Sequence, residues 1–164
     1  MSVNASNDNL GWTAPKFNLL NIDGNRFSFD QLKGDSGTVV VFICCHCPYV
    51  ISIAERLSFE AIELKKNSIN TIAIMSNDVI QYPDDSFDNM KKFANKYNFT
   101  FPFLYDETQE VAKNYGAVCT PDIFGFDKSH KLMYRGRIDS GVMDLENNEI
   151  NRELFKAMIK IKEE

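Results

Sequence analysis

The stretch that most constrains this chain is Thr38-Val-Val-Val-Phe-Ile-Cys-Cys-His-Cys-Pro-Tyr-Val50. Val39 to Ile43 form an unbroken apolar run, mostly β-branched, which suits a strand covered on both faces. Pro48 belongs in the first turn of a helix, where its missing N–H costs nothing. Beyond it Val50, Ile53, Ala54, Leu57, Ala61 and Leu64 recur at helical spacing, with Glu55, Arg56, Glu60, Glu63, Lys65 and Lys66 on the other faces. The unit is therefore a buried strand, a cysteine-rich turn and an amphipathic helix. Cys44 and Cys47 form a C-x-x-C at the helix mouth, where unpaired N–H groups and the positive end of the dipole favour a thiolate.

The totals exclude several classes. A length of 164 residues implies one domain with a sizeable core, and 44% hydrophobic with 25% charged residues is ordinary for a soluble protein. A net charge of −5 argues against a nucleic-acid partner, and no apolar run is long enough to cross a bilayer. The first residues have neither a basic start nor an apolar stretch, so no signal peptide is expected and a cytoplasmic location is predicted. In that reducing compartment, clustered cysteines point to catalysis or metal before structural bridging.

Residues 1–14 read as a polar arm, with Trp12 anchoring its end, and residues 15–164 as a single domain. Asp23-Gly24 between Phe17–Ile22 and Arg26–Phe29 signals an N-terminal β-hairpin. The first long helix is expected to stop near Asn67 as a left-handed cap, before a strand over Ile69–Met75. A polar loop follows, then a helix capped by Asp84, Asp85 or Ser86 with Phe87, Met90, Ala94 and Tyr97 as its stripe. Phe101–Leu104 reads as a strand, Asp106 or Thr108 as the start of a helix ending at Gly116, Val118–Asp127 and Leu132–Ile138 as a hairpin, and Ile150, Leu154, Met158 and Ile161 as a closing helix. This order predicts an α/β sandwich, a mixed central β-sheet flanked by helices.

A buried strand, a C-x-x-C at a helix start and a later Thr120-Pro121 entering a strand together resemble the thioredoxin superfamily. Pro121 lies 74 positions after Cys47 (121 − 47), a gap that suits TlpA/ResA-like proteins and peroxiredoxins. More closely, Phe42-Ile-Cys-Cys-His-Cys-Pro-Tyr-Val50, Ser76-Asn-Asp78, Pro83-Asp-Asp-Ser-Phe87, Asp106-Glu-Thr-Gln-Glu110, Tyr115-Gly-Ala-Val-Cys-Thr-Pro-Asp122 and Tyr134-Arg-Gly-Arg-Ile-Asp139 resemble a peroxiredoxin-like branch of the AhpC/TSA family. The resemblance implies a thioredoxin-like fold and a cis peptide at Pro121, which would present the Thr120 backbone to a substrate chain. It departs from peroxiredoxins proper, whose P-x-x-x-T-x-x-C places Val40 at the proline and Cys44 at the threonine, and whose arginine falls at Pro121. Slow peroxide chemistry is therefore expected.

The expected activity is thiol-disulfide exchange on protein or small-molecule disulfides, with no cofactor beyond an upstream thioredoxin or glutathione reductant and no metal. Cys44, nearer solvent, is predicted to attack and Cys47 to resolve the mixed disulfide. His46, as in the DsbA dipeptide, would stabilise the Cys44 thiolate, or be an exposed turn residue. Cys119 is either a third redox thiol beside the pair or a packed strand cysteine. Asp78 and Asp122 are candidate proton acceptors, because the buried carboxylate of thioredoxins corresponds to Thr38. Arg135 and Arg137 are expected on a solvated strand face. Two other functions remain open: a thiol peroxidase, and a Sco-like copper or zinc protein using Cys44, Cys47, Cys119 and His46.

Overall fold

A computed structural model describes residues 10–141 and 150–164. The central strand β3 (Gly37–Phe42) is buried along its whole length. Val39 and Val41 face one core and Val40 and Phe42 the other, so a single apolar run seeds both sides of the sandwich. β3 lies between β4 (Ile69–Met75), which is parallel to it, and β6 (Asp122–Asp127), which is antiparallel. Completing the sheet are the N-terminal hairpin β1 (Asn18–Asn21) and β2 (Arg26–Ser28), the short β5 (Phe103–Tyr105) and β7 (Leu132–Gly136), in the order β2-β1-β5-β4-β3-β6-β7. The sheet is mixed, as the element order predicted. Among the described residues no helix is long and apolar enough to cross a membrane.

Helices α2 (Pro48–Lys65), α3 (Phe87–Lys96) and α5 (Glu153–Glu163) bring their apolar stripes to one core. In α2 the buried residues include all six of the predicted stripe, and also Ser58 and Glu60. Glu60 is buried because it takes a two-point ion pair from Arg152 at 2.6 and 2.8 Å, which ties the start of α5 to α2. Gly125 in β6 lets α5 approach closely, since a Cβ there would sit 2.6 Å from Met158 Sδ. The other core holds Phe17, Phe29, Phe124, Phe126 and Tyr115, the last from α4 (Glu110–Tyr115).

Local details depart from the sequence reading where capping chemistry intervenes. Phe29 opens a short helix, α1 (Phe29–Leu32), because Ser28 and Gln31 form a reciprocal capping box. The left-handed residue after α2 is Ser68 (φ 60°), not Asn67. Of the helix starts the sequence offers, Ser86 is the one that caps α3, and Asp106 serves the start of α4, its carboxylate accepting from the N–H groups of Val111 and Ala112. β6 begins at Asp122, later than expected, and β7 stops at Gly136. Residues 1–9 of the expected arm lie outside the described residues. Residues 11–14 are hydrogen-bonded beside the β6–β7 turn, through Gly11 to Leu132 and Ala14 to His130, with Trp12 packed edge-on against Tyr115, Phe124 and Phe126.

Candidate active site

The residues from Ile43 to Cys47 carry the chain from the end of β3 into α2. The Ile43 N–H still bonds to the Ile74 carbonyl at 3.0 Å, so the chain leaves the sheet only after Ile43. This settles the burial of the two thiols. Cys44 is 1% exposed, whereas Cys47, the extended N-cap residue of α2, is half-buried. The sequence reading put Cys44 nearer solvent; the structure has the order reversed.

Thr120 meets both sulfurs. Cys44 Sγ lies 3.5 Å from its hydroxyl, and Cys47 Sγ donates to its carbonyl at 3.5 Å. The Thr120–Pro121 bond is cis. Cys44, Cys47, Thr120 and Pro121 thus converge from the two regions the sequence singled out. Cys119 sits on the loop before β6 rather than on a strand, half-buried, with its thiol turned to the Pro121 carbonyl at 3.7 Å. It lines a cleft of about 380 Å³ with Phe42, Asn77, Lys113 and Thr120. Another cleft, of about 500 Å³, is at the opposite end of the sheet between α2 and the start of β4, away from the thiols.

The carboxylate at the site is neither Asp78 nor Asp122. Asp78 accepts from the Ile80 N–H in its own loop. Asp122 is buried against Arg135, which donates at 3.3 and 2.9 Å, stacks on Phe124, and leaves Asp122 to receive the Val118 N–H. Arg135 is therefore not on a solvated face, whereas Arg137 is exposed as expected and pairs there with Glu153, and Asp139 pairs with Arg56. The group that reaches the dithiol turn is Asp85, which is fully buried. Its Oδ1 accepts the Cys45 N–H at 2.7 Å, and its Oδ2 accepts the Asn77 amide at 2.9 Å and lies 2.7 Å from His46 Nδ1. Because a carboxylate only accepts, Nδ1 carries the proton of that bond. The His46 ring also stacks on Tyr82 at 5.2 Å. Sequence reading treated Asp85 only as one of three possible caps. Ser86 alone satisfies that role, which frees Asp85 for the turn.

Electrostatics at Cys44 also differ from expectation. Burial pushes its thiol up, with the negative charge of Asp85 adding to that, while the Thr120 hydroxyl and the Cys47 N–H oppose it. The helix-mouth effect is outweighed, and His46 is engaged with Asp85. Replacing Asp85 with Asn removes one of the opposing charges, so the Cys44 thiolate forms at lower pH. Ultraviolet absorbance of the thiolate against pH in a Cys45→Ala/Cys47→Ser/Cys119→Ala background checks this, and an unchanged or upward titration contradicts it.

Cys45 is pushed up to about 12 by burial, then by Asp85 and Cys44, so it stays a thiol at neutral pH. Its unfolded thiol titrates near 9.0. With the folded value raised, this contribution to stability is complete below about pH 9 and is lost as pH climbs toward 12. The thermal midpoint should therefore fall over that window, and fall less steeply in Cys45→Ala.

A dithiol held between a strand end, a helix start and a cis-proline loop is a thioredoxin-like arrangement. Residues 10–135 match the model of the AhpC/TSA family, a span running from the residues before the N-terminal hairpin into β7, and the chain belongs to that family. An uncharacterized conserved protein from Geobacillus kaustophilus superposes with a TM-score of 0.92 at 41% identity, covering 98% of this chain and 86% of its own. The thioredoxin domain of a thiol-disulfide oxidoreductase from Bacteroides vulgatus shares the fold, with a TM-score of 0.70 at 17% identity over 93% of this chain and 96% of its own. The thiol-disulfide oxidoreductase ResA of Bacillus thuringiensis is 24% identical over 131 residues, 76% of this chain and 67% of that protein.

Proposed function

We propose that the protein is a thiol-disulfide oxidoreductase that cycles Cys44 and Cys47 between dithiol and disulfide. The observation that carries this is the meeting of both sulfurs on Thr120, at 3.5 Å each. The name of the ResA relatives supports it. Cys47, at the helix start and within reach of solvent, attacks one sulfur of a substrate disulfide as the thiolate, and the other sulfur leaves as a thiol. Cys44 then gives up its proton and attacks Cys47 Sγ from beneath. This releases the second substrate thiol and leaves a Cys44–Cys47 disulfide. Two electrons from an upstream dithiol or glutathione system restore the reduced pair. Protein or small-molecule disulfides are the substrates, and Thr120 is the backbone they lie against.

Peroxide reduction is the weaker reading, although Cys47 falls at the reactive position of the family. Val40 is buried inside the sheet, and no proline stands there to shape the loop. Pro121 replaces the arginine, and Arg135 is committed to Asp122. Thioredoxin-coupled turnover, run in parallel on a protein disulfide and on hydrogen peroxide, separates the two. Faster disulfide turnover is expected; rapid peroxide consumption with a Cys47 sulfenic acid and no disulfide turnover would overturn the proposal.

A further inference from the structure

Cys44 Sγ, His46 Nδ1 and an oxygen of Asp85 all lie within 4.8 Å of one another. From this juxtaposition we infer that the reduced protein binds one zinc ion through these three atoms, and that the ion and the Cys44–Cys47 disulfide exclude each other. The exclusion rests on the proposed dithiol cycle; the site itself rests on the geometry alone.

Zinc bonds of about 2.3 Å to sulfur and about 2.0–2.2 Å to nitrogen and oxygen place tetrahedral donors roughly 3.3–3.7 Å apart. The sulfur closes in by a modest movement, while His46 Nδ1 and Asp85, now 2.7 Å apart across a proton, open slightly. The ion takes the place of that proton. The imidazole N–H moves to Nε2 and the Cys44 thiol proton is released, one proton per ion bound. Asp85 is already oriented by the Cys45 N–H and the Asn77 amide, the kind of outer bonds that hold a metal carboxylate in place. One thiolate, one imidazole and one carboxylate suit zinc; copper(I) favours sulfur alone, and magnesium and calcium favour oxygen.

Of the three donors, His46 is the one at the surface: its side chain is 34% exposed and lines a cleft of about 430 Å³ with Cys45 and Asp84, while Cys44 and Asp85 are buried. Cys119 and Cys47 are not in the triad, so the site differs from the four soft ligands considered from sequence. When a disulfide oxidant such as oxidised glutathione converts Cys44 and Cys47 to their disulfide, two electrons pass to the oxidant as two thiols form. The sulfur then has no thiolate to offer and the ion leaves. A zinc-loaded protein would be protected from oxidation and idle in exchange.

The test is titration of reduced, metal-free protein with zinc chloride against a chromophoric chelator without oxygen, with cobalt(II) as a spectroscopic probe. One equivalent should bind, with a thiolate-to-cobalt charge-transfer band. Affinity should drop by about tenfold or more in Asp85→Asn and in the half-exposed His46→Gln, and persist in Cys47→Ser. Absence of binding, or binding lost in Cys47→Ser but kept in both Asp85→Asn and His46→Gln, would overturn the site. A Cys44–Cys47 disulfide formed in oxidised glutathione with zinc still bound would overturn the exclusion while leaving the site standing, whereas failure of the metal-free protein to form that disulfide would overturn the dithiol cycle instead.

Discussion

Replacing Cys44 with Ser should turn the protein into a trap. Cys47 still attacks a disulfide at the start of α2, but nothing beneath it completes the exchange, so the mixed disulfide accumulates on Cys47 and turnover falls to the uncatalysed rate. Cys47→Ser should do the opposite. The remaining Cys44 is 1% exposed and its thiolate is opposed by burial and by Asp85, so no adduct forms on it. Non-reducing electrophoresis and mass spectrometry after incubation with oxidised glutathione distinguish the two variants. An adduct on Cys44 in Cys47→Ser, with none on Cys47 in Cys44→Ser, would restore Cys44 as the attacking thiol.

The second large effect concerns the loop opposite the thiols. Arg135 donates to both oxygens of Asp122 and to the Gly116 carbonyl, so it fastens both ends of the segment that carries Cys119, Thr120 and Pro121. The Asp122 side chain is 1% exposed and that of Arg135 is 16% exposed. Arg135→Leu leaves the carboxylate buried without its cation. The expected cost is about 3–5 kcal/mol, or a fall in Tm of roughly 10 °C. Disulfide exchange should slow as well, because Thr120 loses its brace. Adding Asp122→Asn removes the stranded charge and should recover much of the stability. Denaturant melts of the single and double variants measure the coupling, and a cost below about 1 kcal/mol for Arg135→Leu would mean the pair behaves as a surface ion pair.

Much of this architecture is legible in the chain because apolar patterning decides it. Val39–Ile43, the six apolar positions of α2 and Ile69–Met75 each read correctly, since burial on a known period leaves few alternatives. Polar partnerships are harder. Ser28, Asp106 and Ser86 all cap helices, yet Asp85, one residue before Ser86, turns instead to the Cys45 N–H. Nothing in local spacing distinguishes these uses, because Asp85 meets a turn 40 residues away. The same limit hid the pairing of Arg135 with Asp122, which only the register of β6 against β7 brings together. The burial order of Cys44 and Cys47 was misread for another reason. A C-x-x-C motif locates the turn, but the last sheet hydrogen bond, from Ile43 to Ile74, decides which thiol stays inside.

The central claim is that Cys44 and Cys47 form the working redox pair. Peptide mapping of the metal-free protein after limiting oxidised glutathione, and again after thioredoxin with its reductase, tests it directly. One disulfide joining Cys44 to Cys47 is expected, with Cys45 and Cys119 still free thiols and complete reversal by thioredoxin. A disulfide joining Cys47 to Cys119, or four free thiols throughout, would contradict it.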